Sequence, residues 1–108
     1  MAVYMVVIAQ LPEVSEKVIE YGQKTAPLIR KFGGEYLLRG GPVKVLEGEW
    51  PARRRMVVSK WPDMASLDAF WNSEEYQTIN KPIRKGTGVY DVAVYSDDYA
   101  PPPAKPQP

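Results

Sequence analysis

Arg39, Glu47 and Arg84, together with the phenols of Tyr21, Tyr36 and Tyr76, are the side chains of this 108-residue chain best suited to chemistry. Arg39 closes the apolar run "YLLR" and is followed directly by Gly40 and Gly41. A guanidinium at a strand end can grip a carboxylate through two parallel hydrogen bonds, and bare glycine backbone lets a ligand come close. The plainer reading pairs Arg39 with Glu47 and leaves the glycines only the task of turning the chain. Both can hold together. Glu47 is a candidate general base if burial makes its charged form costly, whereas pairing with Arg39 favours that form. Tyr21, Tyr36 and Tyr76 can hydrogen-bond a ligand oxygen, or they are core aromatics with a polar tip. Trp50 and Trp71 can wall an aromatic ligand, although hydrophobic packing explains them as well, and Arg84 is a second cation.

Other chemistries are limited by what is missing. The chain has no Cys and no His, which removes disulfides, thiolate nucleophiles and the usual general base near neutral pH. A zinc or haem site would need unusual ligands. An oxygen-ligated magnesium ion stays compatible with the composition, but no acidic cluster marks a place for it. "RGGP" runs into a proline and "KGTGVY" into a strand, so neither glycine cluster has the strand-to-helix setting of a nucleotide loop. No cofactor is expected. The formal charge is +1, and "RRR" at Arg53 to Arg55 reads as the solvated start of a strand rather than a nucleic-acid contact. Nothing at the start reads as a leader and no apolar run approaches a membrane span, so a bacterial-type cytoplasmic protein is expected.

The elements that must position these residues follow from pattern. "VYMVVIAQ" (Val3 to Gln10) is apolar at nearly every position, as in a strand covered on both faces. Pro12 and Glu13 are read as opening a helix with a buried stripe through Val14, Val18, Tyr21, Thr25, Leu28 or Ile29, and Phe32. Pro27 should kink or split it, and Gly33 should cap it in a left-handed conformation. "EYLLR" is a second strand, and the connection after it is expected to carry a short ribbon at Val43 to Leu46. "RRMVVSKW" is a third strand. Asp63 caps a second helix with Leu67, Phe70 and Trp71 on one face, and Ser73 caps a third, short one that breaks near Pro82. "VYDVAVYS" is the last strand. Residues 1–97 make the domain, and the Pro-rich tail, 98–108, is expected to be extended or disordered.

The order β-α-β-β-α-β predicts an α+β, ferredoxin-like fold: a four-stranded antiparallel sheet with helices on one face. The other face should then be polar, yet the first and third strands are apolar on both. Exposing such side chains forfeits about 1.5–3 kcal/mol each relative to burial. A homodimer packed through the open sheet face is therefore expected.

"KFGGEYLLRGG", "EGEWP" with Arg53 to Arg55, "FWNSEEY" and Arg84 also resemble the bacterial family known as domain of unknown function 1330, from about Tyr4 to Tyr95. That family is similar to the dimeric α+β barrel superfamily, which includes antibiotic-biosynthesis monooxygenases, muconolactone isomerases and polyketide cyclases. The resemblance implies matches at Gly33, Gly34, Arg39, Gly40, Gly41, Glu47, Gly48, Trp50, Trp71, Ser73, Tyr76 and Arg84. The chain departs from the family pattern at Phe70-Trp71, where a Trp-Tyr pair is usual, and at Lys81-Pro82, which interrupts a helix that is usually continuous.

Two functions stand. One is a cofactor-free enzyme, of isomerase, cyclase, decarboxylase or oxygenase type, acting on a small anionic or aromatic metabolite. Arg39, Glu47 and Tyr76 would carry the chemistry, with Tyr21, Trp50, Trp71, Arg84, Gly40 and Gly41 around the ligand. The other is a non-catalytic ligand-binding or stress-associated homodimer using the same pocket.

Overall fold

A computed structural model describes residues 2–97; the tail expectation lies outside them. Four strands, β1 (Val3–Gln10), β2 (Glu35–Gly40), β3 (Arg54–Trp61) and β4 (Val89–Ser96), form one antiparallel sheet in the order β2-β3-β1-β4. Between them lie α1 (Glu16–Lys31), α2 (Met64–Trp71), a π-helical turn (Tyr76–Asn80) and a last helical turn, α3 (Lys81–Ile83). This is the ferredoxin-like β-α-β-β-α-β arrangement.

Alternation along β1 sends Val3, Met5, Val7 and Ala9 to the helix-covered face and Tyr4, Val6 and Ile8 to the other. Val3 and Met5 join Leu28 and Ile29 of α1, Leu67 and Phe70 of α2, Trp61 and Tyr76 in the core, and Val7 packs against it. Aromatic rings knit it together: Phe70 lies 5.1 Å from Trp61 and 4.6 Å from Tyr76, centroid to centroid. The second set is half-buried although, among the described residues, no element packs on that face as a layer.

Helix ends explain most of the boundaries. α1 starts later than Pro12 and Glu13 suggest, because Ser15 supplies the cap: its Oγ accepts from the Val18 N–H at 3.3 Å. At the other end Gly33 takes φ 98°, its N–H donates to the Arg30 carbonyl and that of Gly34 to the Ile29 carbonyl. That paired bonding needs a left-handed residue, which glycine supplies without strain. The expected break at Pro27 does not occur. Pro27 and Gln23, whose carbonyl the ring leaves without a donor, both face solvent, where water can satisfy it. Asp63 caps α2 through the Ser66 N–H at 2.7 Å, and this hydrogen bond holds its carboxyl below the usual range. The ribbon expected at Val43 to Leu46 is absent: residues 41–50 form an exposed loop without strand pairing.

Candidate functional site

The second strand decides where Arg39 points. Tyr36 pairs with Ser59, but the register then slips, so that Leu38 pairs with Val58 and Arg39 with Val57. Ser59 and Val57 share the helix-covered face, so Tyr36 and Arg39, three residues apart, do too. A bulge at Leu37 produces this; simple alternation would have turned Arg39 to the open face. The guanidinium then lies over the Tyr36 ring, 4.3 Å from its centroid.

Across the sheet, paired residues lay out a floor. One row runs from Arg55 through Ala9 to Tyr90, and the next runs from Arg39 through Val57 and Val7 to Val92. Small side chains at Ala9, Val7 and Val57 leave a hollow between the larger groups at the two edges. α1 roofs it with Val18, Ile19, Tyr21 and Gly22, and Val14 precedes them on the approach to the helix, bounding a cavity of about 400 Å³. Arg39, Arg55 and Arg84 line it with the phenols of Tyr21, Tyr36 and Tyr90, and no carboxylate does. A larger concavity of about 550 Å³ around Gln77, Lys81 and Lys85 is more open and lacks an apolar wall of this kind, so the α1 cavity is the better ligand site.

Arg84 is the most constrained of the three cations. Only 8% exposed, it caps the end of α3 with its guanidinium 4.5 Å from the Tyr90 ring centroid and 5.6 Å from that of Tyr21. Buried arginines ordinarily meet a carboxylate. Among the described residues the one salt bridge is Lys24 to Glu20, on the surface. The ring of Tyr90 is fixed in turn: Thr87 Oγ1 donates to the Arg84 carbonyl at 2.5 Å and meets the Tyr90 hydroxyl at 2.7 Å. A threonine hydroxyl has one proton, so Tyr90 is the donor in the second bond.

Behind Tyr21 stands Tyr76, 1% exposed, with the two hydroxyl oxygens 2.9 Å apart. Ser73 positions Tyr76 by accepting its N–H at 3.1 Å, and the π-helical turn brings Asn80 onto Thr25 of α1 at 3.2 Å. Burial, chiefly, raises the Tyr76 phenol far above the ordinary tyrosine value; Tyr21 adds to the rise and Arg84 opposes it. Burial also raises Tyr36, with Tyr21 adding and Arg39 and Arg30 opposing. Both phenols therefore keep their protons at neutral pH and act as hydrogen-bond donors, not as phenolate bases.

The family model for domain of unknown function 1330 matches residues 2–97. The chain belongs to this family. Among solved structures, a protein of unknown function from Rhodopseudomonas palustris superposes with a TM-score of 0.69 at 17% identity, covering 97% of this chain and 84% of its own. SnoaB, a cofactor-independent oxygenase from Streptomyces nogalater, superposes with a TM-score of 0.65 at 9% identity, covering 94% and 97%. A conserved protein from Methanosarcina mazei Go1 gives 0.55 at 20% identity, covering 88% and 91%. At these identities the likeness is one of fold. Among curated proteins, no sequence matches the chain significantly.

The candidate site residues read from the sequence divide in two. Arg39, Tyr21 and Arg84 line the cavity, and Tyr76 supports it from behind. Glu47 does not: it stands in the exposed 41–50 loop, outside the lining, and forms no ion pair with Arg39. The cavity gives the general-base reading of Glu47 no support. Trp50 also lies outside, over Arg54 at 5.1 Å, and Trp71 packs on Tyr76 at 5.1 Å. Gly40 takes φ 132° as the last residue of β2, and neither it nor Gly41 lines the cavity. Sequence reasoning missed Arg55 and Tyr90. Their signal was present in the period of two, which puts Arg55 in phase with Ser59 and Trp61, and Tyr90 with Val92. Among the described residues no group of three or more acidic side chains converges to hold a metal, and no helix is long and apolar enough to cross a membrane.

Proposed function

We propose that the α1 cavity is the active site of a cofactor-free enzyme that binds a small anionic metabolite and stabilises negative charge developing on one of its oxygens. The observation that carries this is Arg84, a buried guanidinium without a carboxylate partner among the described residues, in a cavity lined by two further arginines. A site held positive before a ligand arrives is preorganised for an anion. The two hydroxyls lie 2.9 Å apart, and in the arrangement this reading requires the deeply buried Tyr76 donates to the Tyr21 oxygen, so that the Tyr21 hydroxyl proton is free to point into the cavity. Tyr21 and Arg84 together then stabilise an enolate-type oxygen, a requirement shared by isomerase, cyclase, decarboxylase and oxygenase chemistry. The fold held in common with a cofactor-independent oxygenase supports this class, by analogy of architecture alone.

One observation favours a second reading. No lining residue is a carboxylate or an imidazole, so any C–H proton must leave to the substrate's own anionic group or to water. A non-catalytic or stress-associated binding protein needs no such acceptor. Thermal unfolding with a small-carboxylate library, for the wild type and Arg84→Gln, tests the site; NMR of the hits after incubation under air and under argon tests turnover. Ligands that stabilise the wild type but not Arg84→Gln support the anion site, and an equal response of both proteins refutes it. Hits that bind and remain unchanged leave the binding protein.

We also propose a homodimer through the open sheet face. Tyr4, Val6, Ile8, Met56 and Val58 present an apolar surface there, extended by exposed Leu38 and Tyr95. Val43 and Leu46, on the loop that follows β2, are almost wholly exposed and have the character of side chains that meet a partner.

A further inference from the structure

Resting on that anion-site reading, we infer that the ligand carries two separated anionic groups joined by an apolar middle. The cations of the cavity do not converge on one point. Arg39 is held over Tyr36 of β2, and Arg84 over Tyr90 of β4. These are the two edge strands of the sheet. Three inter-strand steps separate them, about 14 Å at the level of the backbone. Each guanidinium rests on a ring of an edge strand, a contact that favours keeping the two charges at opposite edges of the sheet. Between them the floor is Val7, Ala9 and Val57; the third cation, Arg55 of β3, stands one strand in from β2, on the Arg39 side of Ala9. A lone carboxylate, which needs guanidinium nitrogens within about 2.7–2.9 Å, engages one end only.

The two ends differ in exposure. Arg84 is buried and Arg39 is solvent-exposed, so one anionic head enters fully and the other stays at the mouth. The inner contact, made out of water, fixes most of the affinity. The outer one selects ligands of the right length and is screened by salt. Aromatic or short aliphatic dicarboxylates are the simplest members of the class.

Calorimetric titration of the full chain with benzoate, benzene-1,4-dicarboxylate, hexanoate and hexanedioate, repeated with Arg39→Ala, tests this. The diacids are expected to bind about tenfold more tightly than the matched monoacids, the scale of one charge-assisted hydrogen-bonding contact. Arg39→Ala, at the exposed end of the cavity, should remove most of that gain, lowering diacid affinity by a larger factor than monoacid affinity. Equal binding of mono- and diacids, with no effect of Arg39→Ala, would overturn the two-headed ligand and leave the anion site standing. If none of the four acids binds, the anion-site reading fails and takes this inference with it.

Discussion

Gly22 is a test of whether the cavity is a designed space. It sits inside α1, where glycine is about 0.5–1 kcal/mol worse than alanine because it exposes backbone and loses more conformational freedom on folding. A Cβ built there meets no atom within 4 Å, so alanine would cause no clash, and the direction of the space is the cavity that Gly22 lines. Gly22→Ala should therefore stabilise the ligand-free protein by most of the propensity difference, a rise of roughly 2–6 °C in Tm for a domain of this size. Gly22→Leu should keep the helix and fill part of the cavity, abolishing diacid binding without lowering Tm. Differential scanning calorimetry of both variants, with and without benzene-1,4-dicarboxylate, reads both effects. A fall in Tm for Gly22→Ala would mean that the space beside residue 22 is occupied in solution, and the cavity reasoning would fail with it.

Three further outcomes follow from the packing. Because burial raises the Tyr76 phenol in the folded state, the unfolded chain releases that proton first: stability is intact below about pH 10 and declines as pH rises above it. Tyr76→Phe should flatten this decline in denaturant titrations between about pH 9 and 11, and an unchanged slope would contradict the assignment. Asn80→Ala removes the buried partner of the Thr25 hydroxyl and should cost about 1–3 kcal/mol in urea unfolding; Asn80→Ala with Thr25→Val should recover part of it. Val6→Glu, in the middle of the open face opposite Val58 and Ala93, should halve the sedimentation mass while preserving the far-ultraviolet spectrum; a wild type that already sediments as one chain would refute the dimer.

Much of the fold was legible because β1, β3 and β4 carry β-branched runs with clear limits, and the structure reproduces Val3–Gln10, Arg54–Trp61 and Val89–Ser96. Caps at Asp63 and Ser73 were legible for the same local reason. The site was less so. The face of Arg39 depends on one slipped residue at Leu37, and a bulge leaves no mark in "EYLLR" that alternation could detect. Glu47 drew attention by its nearness to Arg39 in sequence, yet the loop carries it into solvent. Arg55 was read with its neighbours as a charged run, whereas strand period divides them: Arg53 is exposed and bonds the Pro12 carbonyl, and Arg55 turns inward.

Four departures from local rules in this chain meet at one place. A glycine sits inside a helix at Gly22, a guanidinium is buried without a carboxylate at Arg84, a strand bulges at Leu37, and a helix widens into a π-turn at Tyr76–Asn80. Each is locally unfavourable, and each would be expected singly in any fold of this size. Their coincidence is what carries weight. Gly22 thins the roof of the cavity, Arg84 charges one end, the bulge aims Arg39 at the other, and the π-turn sets Tyr76 behind Tyr21. Sequences keep such departures where function sets the terms, because the same residues replaced by better helix and core formers would give a more stable protein with a filled, neutral interior.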